Sequence, residues 1–390
     1  MTHEQVTGPD AARLRAAAAA TDAFGVDLYR RLGASQENLV FSPASIAAAL
    51  QMALVGARGS TAAQLAAALH LGGADPAAGA RDGLLLLSGA IRAGQDGPAT
   101  VQAPSTLWVQ SGLPLEGGFT GALQDLAAAI VREADFRGAP QRARSAINDL
   151  IAAQTAGRIT NLLGRDAVSA ATRLVLANAV YLKAPWASPF TASATRDAPF
   201  HPEAGAPVTV PMMHRTADLP YRRGDGYQAV LLPYRNSSLA MAIVLPDGPL
   251  SLLAGPLAGG VGQLLAGVER QRVALALPKF RQRTRTGLIP LLRQLGVQEA
   301  FTGAADFTGI TTAERLIISA VIHQAYIDVD ERGTEAAAAT ATAMRSMALR
   351  QPPPPVPLTI DRPFLFAILD TATGLPLFLG QVTRPAAKTA

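Results

Sequence analysis

The sequence predicts an α+β fold in which helices pack around a large central β-sheet. Helical spacing dominates the first third of the chain, where Phe24, Leu28 and Leu32 share one face of a predicted helix over residues 14–32. Later segments are strand-like, and residues 174–182 form a nearly continuous apolar run, typical of a strand buried on both faces. Helices that precede strands, rather than alternating with them, favour the α+β class.

Length and composition are consistent with a single domain over residues 1–390. Of the 390 residues, 49% are hydrophobic and 16% are charged, which provides material for a large core and gives no sign of global disorder. No linker-like segment divides the chain. The sequence has no cysteine, which excludes disulfides, thiolate metal sites and thiol catalysis but leaves the redox compartment open.

Local signals place the remaining elements. A second helix is predicted to begin at Ser42-Pro43, because serine is a good helix cap and proline suits a first helical turn. An amphipathic helix is predicted over residues 150–159, closing near Gly157. Apolar or alternating segments bounded by turn signals predict the later strands. These strands cover residues 227–232, 239–245, 273–277, 317–329, 364–369 and 377–382.

The segment from Glu331 to Ala343 is the most informative part of the chain, because it carries small, uncharged residues after a glycine. Read with a period of two, one face is free of charge, and the nearby charges of Glu335 and Arg345 fall on the other. The uncharged face comprises Thr334, Ala336, Ala338, Thr340, Thr342, Met344 and Ser346. This pattern fits an exposed loop that can later enter a sheet, whereas the alanine content alone favours a helix. Residues 352–355 are four prolines, which predict a stiff, extended spacer.

Several motifs occur in an order that points to one family. Residues 326–340 contain the hinge segment, residues 38–46 begin the second helix, and residues 174–186 form the long apolar strand. Shorter motifs are Val210-Pro-Met-Met213, Leu277-Pro-Lys-Phe280, Ala305-Asp-Phe307, Pro363-Phe-Leu-Phe366 and Leu377-Phe-Leu-Gly-Gln-Val382. In order and approximate spacing the set resembles the serpins, a family of serine protease inhibitors. The resemblance implies the serpin fold, with a large central sheet, further smaller sheets and an exposed reactive-centre loop over about residues 333–356.

The resemblance also implies inhibition of a serine protease by a suicide-substrate mechanism. The protease attacks a bond in the loop, the cleaved hinge inserts into the main sheet as an antiparallel strand, and the acylated protease is trapped. The implied hinge residues are Glu331, Gly333, Thr334, Glu335, Ala336, Ala337, Ala338 and Ala339.

The family's usual spacing from the hinge glycine places the scissile bond at Met347-Ala348. An apolar scissile residue suits an elastase-, chymotrypsin- or subtilisin-like protease. Cleavage at Arg345-Ser346 or after Arg350 remains an alternative.

By the same resemblance, Ser42, Ser45, Asn178 and His323 match the polar "shutter" beneath the centre of the main sheet, and Trp186 matches the "breach" where insertion begins. From the residues alone, a lone histidine in an apolar strand is a hydrogen-bonded core residue, and a tryptophan in such a strand is a core residue. The implied role of both sites is mechanical rather than catalytic.

No catalytic motif is visible in the sequence. The five histidines show no metalloprotease spacing, and a nucleophile elbow, a phosphate-binding glycine loop and a dinucleotide fingerprint are all missing. We therefore expect no enzyme activity, no cofactor and no metal. The net charge of +5 does not indicate nucleic acid, because Arg281, Arg283 and Arg285 form only a sparse run without interleaved aromatic residues. Residues 16–20 are too short an apolar run to span a membrane.

A non-inhibitory binding, carrier or chaperone protein with the same fold is the alternative. Such serpins depart from the small-residue hinge pattern, which this chain keeps, so inhibition is favoured. We expect a monomer whose partner is the target protease. Location stays open, because the resemblance implies an extracellular protein, whereas the N-terminus lacks a secretory signal and leaves the cytoplasm as the alternative. Acceleration by a polyanion also stays open.

Overall fold

The computed structural model describes residues 9–33, 37–73, 75–95, 99–124, 126–335 and 354–386. The α-helices in this part of the chain are α1 Pro9–Leu32, α2 Pro43–Gly56, α3 Gly59–Ala68, α4 Pro76–Gln95, α5 Gly117–Leu123, α6 Pro140–Gln154, α7 Val261–Leu265 and α8 Ile289–Gln294. Over these ranges, none of the helices combines the length and the apolar character needed to cross a membrane.

Helix α2 is the central helix of the molecule, and every one of its residues is buried. The predicted start at Ser42-Pro43 is confirmed. The Ser42 Oγ accepts the backbone N–H of Ser45 at 3.0 Å, and Pro43 occupies the first turn. The small residues of α2 allow it to pack closely beneath both sheets.

The predicted helix over residues 150–159 is correct in type but not in its limits. Helix α6 begins at Pro140 and ends at Gln154. Ala156 and Gly157 both have positive φ, so the backbone reverses out of the helix before Arg158. The early start was not predicted because residues 140–149 carry many polar side chains on the exposed face of the helix.

The strands confirm the predicted α+β class. They are β1 Leu39–Phe41, β2 Thr100–Gln102, β3 Ser105–Gln110, β4 Ile130–Ala134, β5 Leu174–Pro185, β6 Arg196–Phe200, β7 Val208–Gly224, β8 Tyr227–Pro233, β9 Leu239–Pro246, β10 Glu269–Pro278, β11 Phe280–Gly287, β12 Ile318–Val329, β13 Gly333–Thr334, β14 Val356–Thr359, β15 Phe364–Asp370 and β16 Pro376–Val382.

Nine of these strands form one sheet and seven form the other. The nine-stranded sheet has the order β1-β16-β15-β9-β8-β7-β10-β14, with β6 paired to β7. Strand β14 lies at its edge, which accommodates Pro357 because an edge residue needs no donor on its open side. The seven-stranded sheet, which we call the main sheet, has the order β11-β12-β13-β5-β3-β4, with β2 paired to β5.

The two long strands of the main sheet pair directly with each other over most of their length. β5 and β12 are parallel, with register pairs that include Leu176 with Val321 and Tyr181 with Tyr326. Their alternate residues face opposite layers. Leu176 and Val180 join the large core that contains α2, whereas Ala177 and Ala179 join a second core beneath α6. The apolar run from Leu174 is therefore buried on both faces, as predicted.

Candidate hinge and sheet-opening site

Strand β13 places the first part of the hinge inside the main sheet. Thr334 pairs with Val329 of β12 on one side and with Ala184 of β5 on the other, and Gly333 pairs with Pro185. Both hinge residues are buried. The exposed loop was expected to begin at Gly333, but Gly333 and Thr334 already lie between the ends of the two long strands.

Residues 336–353 of the expected loop lie outside the described residues. This applies to the hinge residues Ala336, Ala337, Ala338 and Ala339, to the expected bond Met347-Ala348, and to the alternatives Arg345, Ser346 and Arg350.

Glycine at position 333 is required by a close backbone approach. A Cβ atom on Gly333 would lie 2.1 Å from the carbonyl oxygen of Ala184 and 2.7 Å from the Cα of Pro185. The turn before it is closed by Asp330, whose Oδ1 accepts the backbone N–H groups of Arg332 at 2.8 Å and Gly333 at 3.2 Å. Any side chain at this position would force β13 out of the gap.

Thr334 is anchored through an aromatic pair. Its side chain is fully buried, and its Oγ1 lies 2.6 Å from the hydroxyl of Tyr234. The Tyr234 ring stacks on Trp186 at 4.7 Å between centroids, and the Trp186 Nε1 donates to the carbonyl of Asp330 at 3.0 Å. Burial raises the pKa of Tyr234, so this hydroxyl stays neutral. Trp186, the expected breach residue, thus contacts the turn that leads into the hinge.

Glu331 anchors the hinge from its other end. Its carboxylate accepts from the Lys279 ammonium at 2.9 Å and from the Thr195 hydroxyl at 2.8 Å. Burial disfavours the charged carboxylate, but these hydrogen bonds outweigh it and lower the pKa of Glu331. The backbone carbonyl of Glu331 also accepts from the N–H of Phe190 at 2.8 Å, so the residue is held at both its main chain and its side chain.

Glu335 ends the strand in a left-handed conformation. Its φ is +47°, which is uncommon for a residue other than glycine, and its N–H donates to the carbonyl of Asp328 at 2.9 Å. The carboxylate is only 11% exposed and contacts the guanidinium of Arg158. Burial raises the pKa of Glu335, and Arg158 offsets this effect only in part.

The expected shutter residues meet beneath the middle of the main sheet. His323 and Asn178 are register partners on β12 and β5. The His323 Nε2 accepts the backbone N–H of Ser42 at 3.0 Å, so the proton lies on Nδ1, which donates to the Oδ1 of Asn178. The hydroxyl of Ser45 lies 3.3 Å from that of Ser105.

The histidine at the expected shutter site is uncharged. Burial lowers the pKa of His323 to about 3, so the ring is neutral at physiological pH. The side-chain amide nitrogen of Asn178 is buried and has no hydrogen-bond partner within the described residues. A free donor at the seam between β5 and β12 is available to a group that arrives there. Over the same residues, the structure has no cluster of three or more histidine and acidic side chains able to hold a metal ion.

Sequence reasoning did not identify three residues of this site. Lys279 lies in the quoted motif from Leu277 to Phe280, which gave it a position but no partner. Tyr234 follows the strand predicted over residues 227–232. Its contact with Thr334 was not predicted, because the two residues are 100 positions apart in the sequence and belong to different sheets. Ser105 lies in the short strand β3 and showed no sequence signal.

Comparison with known proteins agrees with this geometry. The family described as serpin (serine protease inhibitor) matches residues 19–385. An uncharacterized serpin-like protein of Thermococcus kodakarensis is 40% identical over 368 residues, covering 94% of this chain and 85% of that protein. Leukocyte elastase inhibitor of Bos taurus is 34% identical over 383 residues, covering 94% of this chain and 99% of that protein. The crystal structure of human thyroxine-binding globulin complexed with thyroxine has a TM-score of 0.82 at 27% identity, covering 96% of this chain and all of that one.

The chain therefore belongs to the serpin family and has the serpin fold. Serpins act on target proteases as inhibitors, and inhibitory relatives are among the similar proteins.

Proposed function

We propose that this protein inhibits a serine protease as a suicide substrate, with insertion of the cleaved loop between β5 and β12. The observation that carries the proposal is β13, which already occupies the top of this gap in antiparallel orientation to both neighbours. Insertion then extends a strand that has begun, rather than nucleating a new one.

The register of β13 supports an extension without slippage. Starting from Thr334, each further residue moves one position down β12 and one position down β5. Residue 341 would meet Ile322 and Ala177, and these two residues are already register partners of each other. One register therefore satisfies both neighbours as far as Ala320 and Val175, because β5 and β12 are aligned up to there in the way that the inserted strand requires.

Side-chain direction supports the same proposal. Residues in step with Thr334 would face the core that contains α2, where only uncharged residues are tolerated, and the sequence supplies alanine, threonine and methionine there. In this register Thr340 would arrive between His323 and Asn178. Its hydroxyl would offer a partner to the free amide of Asn178, so the shutter would gain a hydrogen bond as the strands separate.

The free energy of loop insertion is comparable with the cost of distorting a bound protease. Insertion replaces one parallel ladder between β5 and β12 by two antiparallel ladders, a net gain of about ten backbone hydrogen bonds. At ~0.5–1.5 kcal/mol each, the gain is on the order of 10 kcal/mol, enough to offset distortion of a bound protease. Cleavage releases the segment that the intact loop holds at both ends.

We further propose Met347-Ala348 as the scissile bond. β5 begins at Leu174 and β12 at Ile318, which are partners across a register shift between Ile318 and Ala320. Counted along each strand separately, these two positions correspond to residues 344 and 345 of the inserted strand. Cleavage after Met347 leaves enough chain to run the full length of both neighbours, whereas cleavage after Arg345 ends the strand on its last pair. Mass spectrometry of the peptide released from a denatured protease complex tests this. A fragment that begins at Ala348 is expected, and one that begins at Ser346 or Gln351 contradicts the assignment.

The test of the inhibitory function is an SDS-stable complex. The intact protein is incubated with elastase, chymotrypsin, subtilisin and trypsin, and with a matched form of each protease whose nucleophilic serine is replaced by alanine. We expect a covalent band with at least one active protease of the first three and none with the alanine forms. Loop cleavage by all four active proteases without a covalent band favours the alternative, a binding or carrier protein with this fold.

A further inference from the structure

A cleft of about 450 Å³ lies beside the hinge on the face of the main sheet that carries α6. Its walls come from β5, β11, β12, the hinge and the segment after α6. Five cations line the cleft: Arg158, Lys183, Lys279, Arg281 and Arg332. Three acids line it as well: Asp328, Asp330 and Glu335. The cations converge on one space, although the sequence spreads them over 175 residues.

Most of these charges already form ion pairs with neighbouring side chains. Asp328 accepts from Arg281 at 2.7 Å, and Asp330 accepts from Arg332 at 3.2 Å and from two backbone N–H groups. Lys279 is bound to Glu331, just outside the cleft. Two cations remain. Arg158 contacts Glu335, and the side chain of Lys183 forms no hydrogen bond or ion pair with the residues that the structure describes.

The surroundings of the Glu335 carboxylate are unfavourable for its ion pair with Arg158. It is held in a left-handed backbone conformation and is buried to 11% exposure, which disfavours its charge. If the hinge leaves the sheet, Glu335 regains solvent and an ordinary backbone conformation. Arg158 and Lys183 then face the cleft together as two uncompensated positive charges.

We propose that this cleft binds a small, multiply charged phosphate-type oxyanion, which competes with the Glu335 carboxylate for Arg158. The Arg158 guanidinium and the Lys183 ammonium line the same cleft and match the charge of such a ligand. The volume of the cleft suits a few phosphate groups rather than a polymer. Because the oxyanion and Glu335 exclude each other, binding shifts the hinge toward its withdrawn position.

The first test measures whether removal of the Glu335 carboxylate increases the affinity of the cleft for an oxyanion. Inorganic triphosphate is titrated into the intact protein by calorimetry at constant ionic strength, with sodium sulfate as the comparison. Glu335→Gln removes the internal competitor and is expected to tighten triphosphate binding by about three- to fivefold. Arg158→Gln is expected to weaken it at least tenfold, and Lys183→Gln by a smaller factor.

Matched controls separate this site from general attraction to a basic protein. Glu269→Gln and Arg272→Gln make the same charge changes at exposed positions on β10, in the other sheet. Both are expected to leave triphosphate affinity within twofold. The proposal is overturned if Glu335→Gln binds no more tightly than the unchanged protein, or if each variant follows only its net charge. No protease is present, so this result is independent of the inhibitory function.

The hinge response has its own readout. Trp186 stacks on Tyr234, which contacts Thr334, so withdrawal of β13 changes the surroundings of Trp186. In a Trp108→Phe background, which leaves Trp186 as the one tryptophan of the two in the sequence, triphosphate is expected to shift the emission. The shift should be lost in Arg158→Gln. Binding without any emission change would refute the coupling to the hinge.

Discussion

Replacement of Thr334 by arginine is the most direct test of the inserted hinge. In the intact protein the cost is limited, because β13 contains only two residues and can leave the sheet. The protein then loses two residues of pairing and the contact with Tyr234, about 1–3 kcal/mol in all. Circular dichroism should therefore report a folded protein with a melting temperature lowered by only a few degrees.

The cost is larger in the inserted form. There, position 334 is enclosed by β5 and β12 on the side of the α2 core, and an unpaired guanidinium costs about 4 kcal/mol. If half of this free-energy cost is already present in the transition state for insertion, the rate of insertion falls by about 30-fold. Deacylation is then faster than loop insertion, and the Thr334→Arg variant becomes a substrate that the protease cleaves and releases.

The assay measures the moles of inhibitor consumed per mole of protease inactivated. Thr334→Val is the matched control, since it keeps size and branching and loses only the hydroxyl, leaving Tyr234 without its partner at a cost of about 1 kcal/mol. We expect a consumption near one for the valine variant and at least tenfold higher for the arginine variant. An unchanged covalent complex with Thr334→Arg at the original stoichiometry would refute the reasoning.

Three further predictions concern the same machinery. Protein cleaved in the loop should melt at a much higher temperature than intact protein in differential scanning calorimetry, because the loop becomes a paired strand; equal melting temperatures would contradict insertion. Because burial lowers the pKa of His323 to about 3 in the folded state, stability should be fully present above about pH 6.5 and fall by about 1.4 kcal/mol per unit as the pH drops toward 3. Urea unfolding from pH 7 to 4 measures this slope, which should become shallower in His323→Gln; an identical slope would exclude His323 as its source. Gly333→Ala should expel β13, since the added Cβ would meet the carbonyl of Ala184. Limited proteolysis should then cut beside residue 333 faster than in Gly303→Ala, a control in an exposed turn where the added Cβ meets nothing within 4 Å.

The fold was predictable because its signals are local. The apolar run from Leu174 and the cap at Ser42 each identify an element without knowledge of its neighbours. The strand β7, 17 residues long, was not predicted, because Pro211 and Pro220 interrupt its pattern and proline within a segment argues against a strand. The limits of elements were least predictable where, as at Ala156, an ordinary residue adopts a positive φ.

The candidate site was predictable only in part, because its contacts join distant segments. The sequence identified Thr334 because it lies on the charge-free face of the hinge segment. The structure shows in addition that Thr334 is already buried against Tyr234. The pairing of Glu335 with Arg158 had no sequence signal, since the two are 177 positions apart and depend on the path that the chain takes after α6. Charge clusters of this kind arise from topology rather than from local sequence.

The common register of β5 and β12 also constrains how the loop sequence can change in length. If one residue is deleted within the alanine run, every following side chain changes face, and Arg345 is directed into the α2 core while the threonines face α6. If two residues are removed, the faces are preserved and only the reach of the strand shortens, by about 7 Å. Viable relatives with altered hinges are therefore expected to differ in length by even numbers. The loop can be redesigned for another protease freely beyond residue 346, but upstream of it only in steps of two.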